Sequence, residues 1–237
     1  MHKKSMSCPH SHIEAALDRW SECHWYIHQM ESNYHTPDLF RYSLNSFIRA
    51  IKEIPQILKI ELQNHSHYKE TFKPLIDSMK KDKLMSLLNK KRDFIVHRGM
   101  LEVLSHGNVG ATEGRIIKIS SGFQVAPYES TIEAYERFKA KCRENKVIRG
   151  MLGPDCDSWP FVRREWKIPE FPDIELLELS INAWRLIGEV ISSILVKLGG
   201  DEMDLSFSCR HDPEKVKTVE FSQSEFFNSV DGIDINA

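Results

Sequence analysis

An arginine and a histidine five residues apart form the sharpest chemical signature of this sequence. They lie at the two ends of the run Arg92-Asp93-Phe94-Ile95-Val96-His97. Histidine transfers protons near neutral pH, and arginine can hold a phosphate through two parallel hydrogen bonds and stabilise the charge that builds on it. The pair suits phosphodiester chemistry. His97 would move the proton of a ribose 2′-hydroxyl or protonate the leaving oxygen, while Arg92 would bind the phosphate.

The spacing decides how these side chains can cooperate if they lie on a helix. Five residues correspond to about 500° of helical turn, so Arg92 and His97 lie roughly 140° apart around the axis. They would converge on one substrate atom only if the helix frays at its Gly99 end, or if a second copy of the chain supplies half of the site. Asp93 and His97 share a face, so Asp93 would orient the imidazole and favour its protonated form.

The segment around this motif is strongly basic. From Ser78 to Arg98 the sequence has seven basic residues against two acidic ones, a local net charge of +5 in a chain whose formal net charge is -2. Such a cluster can attract a polyanion, so we expect RNA phosphates to bind at Lys80, Lys83, Lys90, Lys91 and Arg98. A plainer alternative is that Arg92 pairs with an acidic residue of a neighbouring helix, that His97 caps the helix end, and that the lysines form a solvated face.

Length and composition indicate a globular intracellular protein. The 237 residues are enough to bury a core without disulfides or metals. The five cysteines are scattered without a Cys-x-x-Cys pair, and the N-terminus lacks an apolar signal segment, so we expect reduced thiols in the cytoplasm. The most apolar helix candidate, residues 181–198, contains Arg185, Glu189 and Lys197, which favours a buried core helix over a membrane span.

Apolar periodicity predicts four long helical stretches. The first covers about residues 11–33. The second begins at Thr36-Pro37-Asp38 and contains Pro55, where we expect a kink or a break. The third covers about residues 68–97, is interrupted near Pro74 and is ended by Gly99, which places the Arg92–His97 motif in its last turns. The fourth covers about residues 174–198.

The sequence pattern of residues 101–172 predicts a segment that departs from the helical bundle. Two β-prone runs around Ser120-Ser121-Gly122 predict a small hairpin, and Ser130-x-x-Glu133 is a capping box that opens a helix to about Lys146. Residues 149–173 contain four prolines and read as a long irregular connection. The predicted fold is therefore an all-α antiparallel helical bundle with this excursion, formed as one domain over residues 1–200 and followed by a tail over residues 201–237.

The motif and its surroundings resemble those of the HEPN superfamily. Arg92-Asp93-x-x-x-His97, late in a long helix, is similar to the Arg-polar-x-x-x-His motif of that group, and the run from Lys91 to Gly99 is similar to its Arg-Asn-x-Ile-Val-His-x-Gly form. The run from Phe40 to Ile48 is similar to the second-helix pattern of some prokaryotic members. The resemblance covers about residues 13–100 and the helix at 174–198, but neither residues 101–172 nor the tail.

The resemblance implies a bundle that dimerises so that two motifs face one cleft. Many such proteins are metal-independent endoribonucleases of toxin–antitoxin, phage-defence or RNA-processing systems, and others are silent binding or dimerisation modules. It implies that Arg92 and His97 are catalytic and that Asp93 holds the polar position, where asparagine is commoner. Two hypotheses remain: a homodimeric ribonuclease, with an antitoxin or another protein as a further partner, or a silent module that binds RNA, nucleotide or protein.

The remaining histidines do not complete a metal site by sequence. His24 and His28 have the helical spacing that can grip a metal, but His24 falls on the apolar stripe and is better explained as a core histidine. Other histidines and a cysteine lie in short local groups at Cys8, His10, His12, His65 and His67. No group has a full ligand set, so we predict neither a metal nor another cofactor.

Overall fold

The computed structural model describes residues 8–99, 101, 103–113, 116–144, 158–206 and 211–220. By contacts the chain divides into two compact units. Unit 1 consists of Met1–Met30, Arg41–Leu101 and Leu177–Arg210, and unit 2 consists of Glu31–Phe40, Glu102–Leu176 and His211–Ala237. Each unit is assembled from three separate segments of the chain.

Most of the described residues are helical, and the rest of the regular structure is one sheet. Short 3-10 and π turns also occur at Pro9–His12 and Tyr68–Phe72. In chain order the elements are α1 Glu14–Ser32, α2 Pro37–Leu62, α3 Lys73–Lys81, α4 Lys83–Arg98, β1 Leu104–Glu113, β2 Ile116–Gln124, α5 Thr131–Glu144, β3 Ser158–Lys167, α6 Leu176–Lys197, α7 Pro213–Lys217 and β4 Thr218–Glu220.

The structure is mostly helical as predicted, but it is not all-α, because the excursion forms a sheet in addition to the predicted helix α5. Residues 104–167 contribute three strands of a four-stranded antiparallel sheet of order β2-β1-β3-β4, and the fourth strand comes from the predicted tail. The predicted hairpin turn at Ser120-Ser121-Gly122 is also wrong, because these residues lie within β2 and pair with Gly110, Val109 and Asn108 of β1. The predicted end of α5 at Lys146 lies outside the described residues.

The helix boundaries follow the predicted signals, with two exceptions. α2 begins at Pro37 and runs without interruption through Pro55, so the predicted break is absent. Pro55 is buried beside Ile54 and Leu58, and burial of this stripe offsets the cost of about 3 kcal/mol for an internal proline. The predicted third helix is divided at Asp82, which has extended backbone and accepts a hydrogen bond of 3.0 Å from the Met85 amide to start α4.

Unit 1 has an aromatic pair at its centre. The indole rings of Trp20 on α1 and Trp184 on α6 stack with centroids 4.2 Å apart. Each indole N–H donates to the backbone carbonyl of the other residue, at 3.0 and 3.2 Å. This pair fixes α6 against α1. Apolar residues of α2, α4 and α6 are also buried in this unit, with Leu84 only half-buried: Leu44, Phe47, Ile51, Leu88, Ile187 and Ile191.

The helix with the most membrane-like composition, α6, is mainly buried. By length and composition it could cross a membrane, yet 61% of its most apolar 18-residue stretch is buried within the protein. A core helix of a water-soluble protein passes the same test, so composition alone is weak evidence for a membrane span. This placement agrees with the predicted core helix.

Unit 2 is organised around a buried arginine on β3. Arg164 is fully buried, and its guanidinium donates to the Ser105 hydroxyl at 2.8 Å and to the carbonyls of Glu129 and Ala126 at 2.7 and 3.4 Å. It also lies 3.8 Å from the centroid of the Trp166 ring. Its backbone carbonyl accepts a hydrogen bond from the Tyr34 hydroxyl. The guanidinium thus joins β1, β3 and the segment that leads into α5.

Candidate active site

The Arg92–His97 motif occupies the last turns of α4 in unit 1. The Arg92 guanidinium lies 3.2 Å from the Asp93 carboxylate, and the side chains are 40% and 55% exposed. An exposed ion pair of this kind contributes roughly 0–1 kcal/mol, so a competing anion can displace it. Arg92 therefore pairs with its neighbour in the chain, and among the described residues no acidic side chain of another helix pairs with it.

His97 is exposed on the outer face of α4. Among the described residues it makes no hydrogen bond and no ion pair, and the Asp93 carboxylate, which was expected to accept from the imidazole, accepts from the Arg92 guanidinium instead. α4 stays helical through Arg98, so Arg92 and His97 remain roughly 140° apart around the axis. The helix does not fray before Gly99, so a single helix does not bring the two side chains to one point.

Gly99 explains why the helix ends directly after the motif. Its φ of 119° lies in the left-handed region that glycine adopts readily. The preceding turn keeps Ile95 in the core while Phe94 and Val96 stay 37% and 45% exposed. Apolar side chains therefore flank His97 on an open helix surface.

The predicted RNA-binding cations have different surroundings. Lys80, Lys83 and Lys90 are exposed, and Lys80 lies 3.4 Å from the Asp77 carboxylate. Lys91 is half-buried and already has an interaction of its own. The side chain of Arg98 lies outside what the structure describes. The exposed lysines of α3 and α4 are therefore accessible to a polyanion, whereas Lys91 is half-buried and already interacts with another group.

Lys52 of α2 is a charged neighbour of the motif that the sequence analysis missed. It is half-buried, and its ammonium donates a hydrogen bond of 3.2 Å to the Met85 carbonyl of α4. Burial lowers its pKa most, Asp93 acts in the opposite direction, and the positive charges of Lys80 and Arg92 lower it further. Lys52 therefore lies within electrostatic range of the motif, although it is 40 residues away in sequence from Arg92.

The histidine groups do not form a metal site in the part of the chain that the structure describes. There, no cluster of three or more histidine, cysteine, aspartate or glutamate side chains could hold a metal ion. The ring of His24 stacks on Trp184 with centroids 5.2 Å apart, and His28 lies 4.6 Å from it. The His65 ring packs against Phe72 and lies near the rings of His12 and His67. These rings serve as packing groups.

Comparison with known proteins identifies a family without assigning an activity. Residues 2–219 match the family model described as bacteriophage lambda protein ea47. The match covers most of the chain, so the protein belongs to this family. Searches of curated proteins and of solved structures find no match.

Proposed function

We propose that this member of the bacteriophage lambda protein ea47 family is a metal-independent endoribonuclease of the HEPN type, with a composite site made by two copies of the chain. The feature that carries the proposal is the open last turn of α4. There His97 is exposed, Arg92 pairs with the exposed Asp93 carboxylate, and the exposed Phe94 and Val96 offer apolar surface for a second copy.

The reaction uses the substrate's own 2′-hydroxyl as nucleophile. His97 of one copy takes the 2′-hydroxyl proton while the oxygen attacks phosphorus, and it returns that proton to the departing 5′-oxygen. Arg92 of the other copy binds the non-bridging oxygens and stabilises their developing charge. The products are a 2′,3′-cyclic phosphate and a 5′-hydroxyl end. Neither a metal nor another cofactor enters this scheme.

The composite arrangement follows from the angle between the two side chains. Because Arg92 and His97 lie roughly 140° apart on a continuous helix, two copies that pack these helix ends together can oppose one Arg92 to the other copy's His97. Lys80, Lys83 and Lys90 would then bind flanking phosphates in a salt-dependent way. We place this activity in the cytoplasm, where an antitoxin or another protein that covers the helix end would block it.

A silent HEPN-like module is the second candidate, and one observation favours it. Asp93 stands where the resemblance expects asparagine, and its carboxylate occupies the Arg92 guanidinium at 3.2 Å. A negative charge beside a phosphate site weakens binding of the phosphate. Such a module would bind RNA, a nucleotide or a protein partner through the same surface without cleaving RNA.

The test is RNA cleavage by the purified chain with EDTA present throughout. Replacement of His97 or Arg92 by alanine is expected to reduce cleavage about 10²–10³-fold or more without changing the circular dichroism spectrum. His67→Ala is the matched control, because His67 is an exposed histidine of the same unit that is not part of α4. Substrates with a 2′-deoxyribose at the cleavage position should resist cleavage, since they lack the nucleophile.

Three results separate the two candidates. Cleavage that depends on His97 and Arg92 and yields a cyclic phosphate supports the enzyme. RNA binding without cleavage supports the silent module. If wild type and His97→Ala cut equally well, the activity comes from a contaminant or another site, and the proposal is wrong.

A further inference from the structure

We propose that Lys52 of α2, together with Arg92 and Lys80, forms an anion site that binds one backbone phosphate of single-stranded RNA beside the motif. The inference rests on the proposed function insofar as RNA is the ligand, but it does not require cleavage. It adds a residue from a second helix to a site that the sequence confined to one segment.

The first support is the placement of the ammonium. Lys52 Nζ lies 3.2 Å from the carbonyl oxygen of Met85. Met85 and Arg92 are seven residues apart on α4, which is about two helical turns, or roughly 10 Å along the axis, so both lie on the same face. A helix carbonyl points toward the C-terminus, so the ammonium is placed on the Arg92 side of Met85.

The second support is the balance of charge around Lys52. The positive charges of Lys80 and Arg92 both act on Lys52, and so does the negative charge of Asp93. Asp93 is paired with Arg92, and Lys80 lies near Asp77. Among the described residues Lys52 makes no ion pair. A half-buried cation with like-charged neighbours is stabilised by any anion that enters between them.

The third support is unused hydrogen-bonding capacity. A lysine ammonium has three donors, and one of them is used by the Met85 carbonyl. The other two can donate to phosphate oxygens. The partial burial of the site strengthens such bonds relative to those of a fully exposed lysine. A single phosphate that bridges Lys52 and Arg92 would also displace Asp93 from Arg92, since the exposed pair is weak.

A tether between two helices is the competing role for Lys52, and charge-neutral substitution separates the two roles. Lys52→Gln keeps a donor for the Met85 carbonyl but removes the charge, whereas Lys52→Arg keeps the charge. The matched control is Lys59→Gln, an exposed lysine in the last turn of the same helix. The probe is a fluorescent single-stranded oligonucleotide with 2′-O-methyl riboses, which binds but has no free 2′-hydroxyl for attack.

Binding is measured as a function of salt with the full chain. Lys52→Gln is expected to weaken binding about 10-fold near 0.1 M salt, the loss of one hydrogen bond from a charged group. It should also reduce the slope of log K against log salt by about 0.7, one phosphate contact on a single strand. Lys59→Gln should change affinity less than about 2-fold, and Lys52→Arg should restore the slope. A tether alone would change thermal stability and leave the slope unaltered.

The outcomes separate this proposal from the nuclease. If wild type binds the oligonucleotide and Lys52→Gln keeps its affinity and slope, the Lys52 site is overturned while cleavage by Arg92 and His97 is untouched. If the chain binds with the expected slope change but cuts no RNA, the Lys52 site stands and the nuclease fails. If wild type does not bind the oligonucleotide at any salt concentration, the Lys52 site is overturned.

Discussion

Replacing Arg164 by methionine should destabilise unit 2 even though it removes a buried charge. Arg164 is fully buried on β3, and no carboxylate contacts its guanidinium among the described residues. Exchange of buried ionic groups for apolar ones is often neutral or stabilising, so the direction here must be worked out from the contacts. Methionine fills a similar volume with an adaptable side chain.

Two opposing contributions set the magnitude. Burial lowers the pKa of Arg164 to about 10. The charged form therefore already costs about 3 kcal/mol, which methionine would not incur. Against this, the Ser105 hydroxyl and the Glu129 carbonyl each lose a short bond, at about 2–3 kcal/mol apiece for a charged donor, and the Ala126 bond of 3.4 Å adds less. Contact with the Trp166 ring adds about 1 kcal/mol. The net loss is about 3 kcal/mol.

Hydrogen exchange on the amides of β1 and β3 is the suitable assay, because a chain of two units need not unfold in one step. A loss of about 3 kcal/mol should accelerate exchange roughly 100-fold where global opening of the unit limits it. Arg163→Met is the matched control. Arg163 lies on the opposite face and pairs with Glu165 and Glu214 at 3.2 and 3.1 Å with 34% of its side chain exposed, so less than about 1 kcal/mol is expected. Equal effects of the two substitutions would refute this account of Arg164.

Three further predictions concern pH, assembly and charge. His35 Nε2–H donates to the Val216 carbonyl at 2.8 Å, and its Nδ1 lies 2.9 Å from the Thr131 hydroxyl. Burial lowers the pKa of His35 to about 4, so its contribution to stability should be complete above pH 6.5 and should fall by about 3 kcal/mol as the pH drops from 6.5 to 4. Hydrogen exchange measured against pH should show this loss in wild type and less of it in His35→Gln. Mixing inactive His97→Ala with inactive Arg92→Ala should restore about a quarter of the wild-type activity. After the subunits exchange, about half of the dimers contain one copy of each variant, and one of the two composite sites in such a dimer is intact. No recovery after confirmed subunit exchange would argue for a site within one chain. Asp93→Asn should tighten binding of the 2′-O-methyl oligonucleotide several-fold at low salt, and unchanged affinity would mean that Asp93 does not compete with phosphate for Arg92.

The helices could be predicted because their signals are local. Pro37, Gly99 and the Ser130–Glu133 capping box each act within one turn of the residue that they position, and the last is present with bonds of 2.6 and 3.1 Å in the two directions. Asp82 is the exception within this group. It lies among lysines, and the apolar periodicity of the sequence continues on both sides of it. The sequence therefore did not reveal that Asp82 is an N-cap.

The β-prone runs around Ser120-Ser121-Gly122 indicated part of β2, but the rest of the sheet could not be predicted, because its signals are long-range and unusual residues interrupt its alternating pattern. In β3 the buried positions alternate as Val162, Arg164 and Trp166, and a charged residue at the middle position conceals the period of two. β1 contains Gly107 and Gly110, which have low strand propensity but pair opposite Arg164 and Phe161. Pairing between strands about fifty residues apart leaves no local trace at either of them.

The site divides in the same way between local and long-range information. The Arg92–His97 spacing and the helix end at Gly99 are properties of one segment and were visible in the sequence. The proximity of Lys52 depends on the packing of α2 against α4, which places its ammonium on the Met85 carbonyl. The choice of Arg92 rather than His97 as the partner of Asp93 depends on side-chain conformations that spacing does not determine.

Asp93 is the residue that bears most on the choice between the enzyme and the silent module. The surrounding positive charges reduce the effect of its negative charge on phosphate binding. Its carboxylate neutralises one of the three cations in the cluster, so Lys52, Lys80 and Arg92 still leave an excess of positive charge there. An exposed pair contributes little and yields to a phosphate that meets two cations at once. The exposed His97 bears on the same choice, because the proposed ribonuclease requires an accessible imidazole, and His97 has no partner among the described residues. In the proposed dimer a second copy would cover the exposed Phe94 and Val96 and would bring its Arg92 to this histidine, which is the arrangement that mixing His97→Ala with Arg92→Ala tests.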